Sequence, residues 1–302
     1  MSEVAIARPG AGPRPMAPPA DLALGSPYRS AWRMTAYLLF ACAIASLQVL
    51  CLALKTRLSN VLPMIYHRVC CRLLDLRLDI RGSMSTARPT LFVCNHSSYL
   101  DISVLGSIIP GSFVAKTEVA DWPFFGFLAK LQRTVFIDRR RHTTHHQRDG
   151  LARRLEAGDN LILFPEGTSN DGNRTLPFRS ALFAVAERRV EGGEPAPSVT
   201  IQPVSLAYTK LNEFPIGRNL RPYFAWYGDM DLAGHLWRVL GLGRITVALE
   251  FHQPVSLAQF ASRKALSEHC RKVIAEGLAS ALAGRPEAEK PPDVPAAAKQ
   301  YT

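Results

Sequence analysis

Residues 95–101 read Asn-His-Ser-Ser-Tyr-Leu-Asp and follow directly on the apolar run TLFVC. A histidine and a carboxylate can work as an acid–base pair. The carboxylate accepts the Nδ1 proton, which leaves Nε2 free as a base and steadies the imidazolium that forms. Five residues turn a regular helix by about 500°, so His96 and Asp101 cannot share one face of a continuous helix. They meet only if His96 sits in a turn and Asp101 in the first helical turn. Ser97 and Ser98 read as helix N-caps rather than nucleophiles, because neither stands on a GxSxG elbow. The pair therefore lacks a nucleophile of its own, and by itself it fits a structural hydrogen bond as well as a base.

Two further blocks carry chemistry. Phe164-Pro165-Glu166-Gly167-Thr168 follows the apolar NLIL. Proline ends strand pairing and glycine lets a backbone approach a ligand closely. Glu166 and Thr168 are then expected to face one end of the sheet, although an ordinary strand-ending turn has the same residues. VFIDRRR at 135–141 delivers Arg139 to a loop, where a guanidinium fork suits phosphate or carboxylate. Arg140 and Arg141 read as a solvated basic face. His142, His145 and His146 have helical spacing but lack the glutamate of HExxH, so no metal site is expected. Trp226, Tyr227 and Trp237 with Arg221 and Arg238 fit a basic-aromatic membrane contact or ordinary packing.

The elements that must hold these groups are legible in part. TLFVC, GSFVAK (111–116), TVFID (134–138), NLILFP (160–165), SVTIQPVSLAY (198–208) and RITVALEFH (244–252) read as strands. In the last, Ile245, Val247, Leu249 and Phe251 alternate with Arg244, Thr246, Ala248 and Glu250, as in a half-buried strand. Helical patterns lie between several of them, and an amphipathic helix is expected over 257–283. This order predicts an α/β domain with a largely parallel sheet flanked by helices.

Upstream, residues 35–54 contain no charge, and twenty residues at the helical rise span about 30 Å, a hydrocarbon core. A second apolar stretch at 58–74 fits a partner helix. The pair predicts either one crossing or a hairpin dipping into one leaflet. Basic residues flank both sides, so charge does not orient it. The expected division is a disordered leader over 1–30, a membrane-embedded segment over 31–76, a catalytic domain over 77–283 and a disordered tail over 284–302. The six cysteines show no CxxC pair or secreted-domain spacing. A net charge of +11 favours an anionic partner. With an apolar anchor and no reading motif, an anionic membrane surface fits and nucleic acid does not.

Taken in order, NHSSYLD, FIDR, FPEGT and IQPVSL around Pro203 resemble the four blocks of the glycerolipid acyltransferase family, which includes the bacterial 1-acylglycerol-3-phosphate acyltransferases. The resemblance covers residues 78–210. It implies that His96 is the general base, that Asp101 orients it, and that no acyl-enzyme forms. It implies that Arg139, Glu166, Gly167 and Thr168 position the acceptor, with Lys116, Arg174 and Arg179 as candidate contacts to anionic groups. The donor would be acyl-CoA or acyl carrier protein, with no cofactor, and the site would face the cytoplasm at a bacterial inner membrane. One departure bears on the acceptor. The family's third block commonly continues with arginine, which binds phosphate, but here Ser169 follows Thr168. Either Arg174 or Arg179 substitutes and the acceptor is lysophosphatidic acid, which family frequency favours, or the acceptor is a lysolipid such as lyso-ornithine lipid. A membrane-associated thioesterase or hydrolase, and a non-catalytic lipid-binding protein, are the rival readings.

Overall fold

The computed structural model describes residues 24–137, 144–187 and 199–285. Strands β1 (Leu76–Gly82), β2 (Thr90–Cys94), β3 (Ser112–Lys116), β4 (Val135–Ile137), β5 (Leu161–Leu163), β6 (Thr200–Leu211), β7 (Phe214–Pro215) and β8 (Ile245–Phe251) form one sheet. The helices are α1 (Pro27–Ala53), α2 (Leu62–Leu73), α3 (Leu100–Ile108), α4 (Phe125–Leu131), α5 (Thr144–Glu156), α6 (Leu232–Gly241) and α7 (Arg263–Leu282). The strand order is β1-β8-β6-β2-β5-β3-β4, and β7 pairs with β6. Neighbours are parallel except where β6 meets β8 and β7, so the expected largely parallel α/β sheet is present.

Strand β2 shows why the sheet is covered on both sides. All five of its residues are buried, and its period of two sends Phe92 and Cys94 into the layer holding α3 and α6. Leu91 and Val93 meet α5 and α7 on the other side. A strand buried on both faces needs an unbroken apolar run, which is what the sequence supplies. Strand β8 departs from the half-buried expectation for the same reason. Ala248 is covered by Leu278 and Ala281 of α7, so the small residues of its second face are buried too.

Helix α7 is shorter than the run of 257–283 suggests. Ser256 and Gln259 form a capping box around a single turn, Leu257–Gln259, and the backbone is extended at Phe260. Ser262 then caps α7 by accepting from Ala265 N at 3.2 Å.

The N-terminal helix also differs from its expected bounds. Ser26 caps α1 and Pro27 occupies its first turn, where a missing N–H costs nothing. Residues 27–30 are therefore helical rather than part of a leader, and 1–23 lie outside the described residues. Of the tail expected over 284–302, residues 286–302 lie outside them too. A short turn at Arg57–Asn60 separates α1 from α2, and Pro63 sits in the first turn of α2.

Both ends of α1 are tied to the domain. Near its start, Ser30 Oγ donates to Trp237 O at 2.9 Å, and Arg33 Nη1 donates to Leu240 O at 3.1 Å and Leu242 O at 2.8 Å. Near its end, Gln48 Nε2 donates to Ser59 O at 2.9 Å and Leu131 O at 3.0 Å. Between these anchors Leu38, Leu39 and Leu47 are exposed, as are Val49 and Leu50 just beyond Gln48. Only 17% of the helix's apolar 18-residue window is buried, which is not how a soluble core helix sits.

Candidate active site

The site forms where β2 ends. Asn95 stitches that end to β6, donating from Nδ2 to Leu206 O and accepting at Oδ1 from Leu206 N, each at 2.9 Å. The chain then turns through His96, Ser97 and Ser98 before α3 starts at Leu100, with Asp101 in its first turn. The sequence reading required this placement. His96 Nδ1 lies 2.9 Å from Asp101 Oδ2. Ser97 N and Ser98 N donate to the same oxygen at 2.7 and 2.9 Å. Asp101 Oδ1 accepts from Tyr208 Oη at 2.7 Å and from Ser97 Oγ at 3.4 Å.

Asp101 is fully buried, so these donors replace its lost hydration. A carboxylate so placed accepts rather than donates, which puts the imidazole proton on Nδ1 and the lone pair on Nε2. Nε2 has no hydrogen-bond partner among the described residues, and the side chain keeps 19% of its surface exposed. The expected capping by Ser97 and Ser98 is corrected in part: Tyr99 occupies the N-cap position without a side-chain capping bond, while Ser98 Oγ accepts from Leu100 N at 3.4 Å. Asp101 itself gathers the amides of Ser97 and Ser98 in the turn before the helix. Burial, followed by the Asp101 charge, holds the Tyr208 phenol well above its usual range, so it stays a donor.

The wall beside His96 comes from the block after β5. Phe164 stacks on the imidazole with centroids 4.1 Å apart and planes 19° apart. Gly167 N donates to Phe164 O at 3.1 Å, closing a turn with Pro165 in its second position. Gly167 sits at φ 69°, where an L side chain is strained.

Glu166 points inward, against the expectation that it faces the acceptor. It is buried and accepts from His96 N at 3.2 Å through Oε1 and from Asn170 Nδ2 at 2.7 Å through Oε2. Burial pushes this carboxyl up to about 8, against hydrogen bonds from Asn170, His96 and Leu176 that favour its charged form. Its geometry is that of a brace between two loops.

Ser169, the departure from the familial arginine, donates to Trp226 O, and Trp226 N donates to Ser97 O at 2.8 Å. Segment 221–227 is thereby drawn against both loops. The Trp226 ring meets Tyr99 and Trp122 edge-on.

Of the other expected residues, Lys116 is half-buried at the end of β3 and Thr168 is exposed. Arg174 and Arg179 are exposed and form no ion pair among the described residues. Arg139 and His142 lie outside the described residues, as do the side chains of His145 and His146. Sequence reasoning missed Tyr208, Asn170 and the backbone of Trp226. Tyr208 alone left a signal, a polar tip on the apolar stripe of Val204 and Leu206.

Under the site is an apolar cavity of about 210 Å³. Its walls come from α1, α2, α3, α4 and α6, and Tyr99 and Leu100, beside the His96 turn, contribute to it. On α1 the lining residues Tyr37, Ile44, Ala45 and Gln48 follow one helical face. The apolar space thus reaches the start of α3, next to the turn that carries His96.

Residues 77–207 match the family model described as Acyltransferase. The chain is 44% identical over 244 residues to a lyso-ornithine lipid O-acyltransferase of Brucella abortus, covering 80% of this chain and 91% of the relative. A relative of the same description in Rhizobium meliloti is 39% identical over 264 residues, or 84% of this chain and 90% of that one. A 1-acyl-sn-glycerol-3-phosphate acyltransferase of Neisseria gonorrhoeae is 30% identical over 209 residues, or 67% and 76%. The crystal structure of a 1-acyl-sn-glycerophosphate acyltransferase from Thermotoga maritima superposes with a TM-score of 0.57 at 20% identity, covering 87% of this chain and 96% of that one, which shows a shared fold. With relatives at 44% and 39% identity matched along about nine-tenths of their own length, the chain belongs to the acyltransferase family and is an enzyme of that kind.

Proposed function

We propose that the enzyme moves a fatty acyl group from an acyl thioester, carried by coenzyme A or acyl carrier protein, to the free hydroxyl of lyso-ornithine lipid. The observation that carries the chemistry is the His96 ring, fixed at Nδ1 by Asp101 and open at Nε2. The acceptor O–H gives its proton to Nε2 as its oxygen attacks the thioester carbonyl. The tetrahedral adduct then collapses, the C–S bond breaks, and the departing sulfur takes the proton from the imidazolium. The base is regenerated and no acyl-enzyme is needed. A positioned base of this kind contributes roughly 10²–10⁴-fold, while the thioester supplies the leaving group.

Lyso-ornithine lipid takes precedence over lysophosphatidic acid, which family frequency had favoured. Support comes from the relatives, at 44% identity for one lyso-ornithine acyltransferase against 30% for a lysophosphatidic acid enzyme. Ser169 adds to this, because it binds Trp226 where a phosphate-clamping arginine would stand. The apolar cavity suits a fatty chain.

The exposed apolar side of α1, joined by Leu58, Val61 and Ile65, would rest in the bilayer. With both ends of α1 tied to one domain, the hairpin reading is better supported than a crossing. The site would then open at the cytoplasmic face of a bacterial inner membrane, where thioester donors occur. Exposed Lys55 and Arg57 beside the apolar surface suit anionic headgroups.

The test is acyl transfer by the purified enzyme in detergent, with labelled acyl-CoA and acyl carrier protein, offered lyso-ornithine lipid and lysophosphatidic acid separately. Diacylated ornithine lipid that disappears in His96→Ala is the expected result. Acceptor-independent release of free fatty acid would instead identify a thioesterase. Absence of any His96-dependent product would remove the proposal.

A further inference from the structure

The loop after Glu166 and the segment before Trp226 close on each other beside His96. Asn170 N donates to His96 O at 3.2 Å. A Cβ added to Gly172, which sits at φ 72°, would lie 3.6 Å from Ser97 Cβ, so the loop passes directly over the His96 turn. Arg221 Nη1 donates to Asn173 Oδ1 at 2.6 Å, and Asn173 Nδ2 reaches Arg218 O at 3.5 Å. Ser169, bonded to Trp226 O, completes the closure.

This closure places two opposite charges on the rim without pairing them. Asp171 uses Oδ1 to accept from Asn173 N at 3.1 Å, and its Oδ2 has no partner among the described residues. Among the described residues, Arg221 has its Nε buried without a partner and only Nη1 of its guanidinium engaged. No ion pair joins Asp171 and Arg221, yet they lie within electrostatic reach. Burial and then Arg218 lower the guanidinium's proton affinity, while Asp171 raises it. Separated charges of opposite sign beside a base are a poor receptor for a phosphate, which Asp171 would repel. They suit a zwitterion.

We infer that Arg221 and Asp171 form the acceptor's head-group site, Arg221 binding a free carboxylate and Asp171 a side-chain ammonium. The inference rests on the lyso-ornithine reading above. Ornithine acylated on its α-nitrogen carries both groups, the carboxylate nearer and the ammonium one side-chain length further from a hydroxyl on the attached acyl chain. The head group must therefore bind next to His96, where this rim stands. Ser169 acquires a positive function on this account. By holding Trp226 it brings Arg221 against the loop, replacing a phosphate clamp in the chain's third block with a cation from a different segment.

The test compares lyso-ornithine lipid with its norleucine analogue, in which a methyl group replaces the side-chain ammonium, using the full chain in detergent. Wild type is expected to show a KM about ten- to a hundredfold higher for the analogue, the scale of a lost charge-assisted hydrogen bond. Asp171→Asn retains the Oδ1 acceptor that shapes the loop. It should raise KM for lyso-ornithine lipid to that range and leave the analogue unchanged. Arg221→Gln should raise KM for both acceptors, because both carry the carboxylate, with partial rescue in Arg221→Lys.

Equal KM values for the two acceptors in wild type, or an Asp171→Asn effect of the same size on both, overturns the inference and leaves the lyso-ornithine assignment standing. No product from lyso-ornithine lipid with wild type overturns both. Should Arg221→Gln fail to fold, the Asp171→Asn comparison decides alone.

Discussion

Tyr208 donates its hydroxyl to Asp101 at 2.7 Å on the oxygen opposite the one that meets His96. The two bonds hold the carboxylate plane from both sides, and Phe224 stacked on the phenol fixes Tyr208 in turn. Tyr208→Phe keeps the stack and removes one donor from a buried charge, a loss of about 1.5–3 kcal/mol. The thermal midpoint should drop, and kcat should fall about tenfold with KM nearly constant. Asp101→Asn should cost far more, roughly 10²–10⁴-fold in kcat, because the imidazole loses the acceptor that sets its tautomer. A Tyr208→Phe enzyme with wild-type kcat would show that the dyad does not depend on this strut.

Phe164 lies flat against the imidazole, limiting ring rotation and offering its face to the charged form. Phe164→Leu preserves apolar volume without the stack. A fall in kcat of about three- to tenfold is expected, the scale of one aromatic contact. Steady-state kinetics on the purified variant would check it, with an unchanged thermal midpoint as the control for folding.

Glu166 is raised from its ordinary 4.5 to about 8 by burial. A carboxyl whose folded pKa lies above its unfolded value contributes stability that is complete below the unfolded pKa and is lost as pH rises through the folded one. The window is therefore about pH 4.5 to 8, with a slope of at most about 1.4 kcal/mol per pH unit. Thermal midpoints measured from pH 5 to 9 should decline across it more steeply in wild type than in Glu166→Gln. The glutamine variant should also start lower, since its amide N–H₂ must confront either His96 N–H or the Asn170 amide.

Ala45 faces the apolar cavity from α1. Ala45→Phe adds bulk there without touching the His96 turn. Competition among donors of graded length should show preference moving several carbons shorter, while kcat on the best donor changes little. An unaltered length profile would mean that the cavity does not hold the transferred chain.

Strands read well in the sequence where both faces are buried. TLFVC and NLIL are unbroken apolar runs, and their ends fixed the His96 and Glu166 loops. Strand β1 escaped notice because Arg77, Asp79 and Arg81 alternate with Leu76, Leu78 and Ile80 at the sheet's edge, a weak pattern beside a long apolar segment. The His96–Asp101 spacing was decisive because helical geometry allows only one way for them to meet. Glu166 was misread because a sequence does not say which way a carboxylate turns. Its inward bonds depend on Asn170, four residues on, and on a backbone N–H seventy residues earlier. Trp226 reaches the His96 turn through Ser169 and Ser97, and Arg221 reaches the neighbouring loop through Asn173, contacts between distant positions that no local pattern announces.

The first turns of α1 satisfy the carbonyls of Leu240 and Leu242 through Arg33, and its middle walls the cavity. The segment that resembles a detachable anchor is therefore structural to the catalytic half. A shortened protein beginning at β1 would lose α1 and α2 together, expose the lining contributed by α3, α4 and α6, and strand the end of α6. For an enzyme built this way, the exposed apolar surface of α1 and the integrity of the cavity are a single property, and engineering one means rebuilding the other.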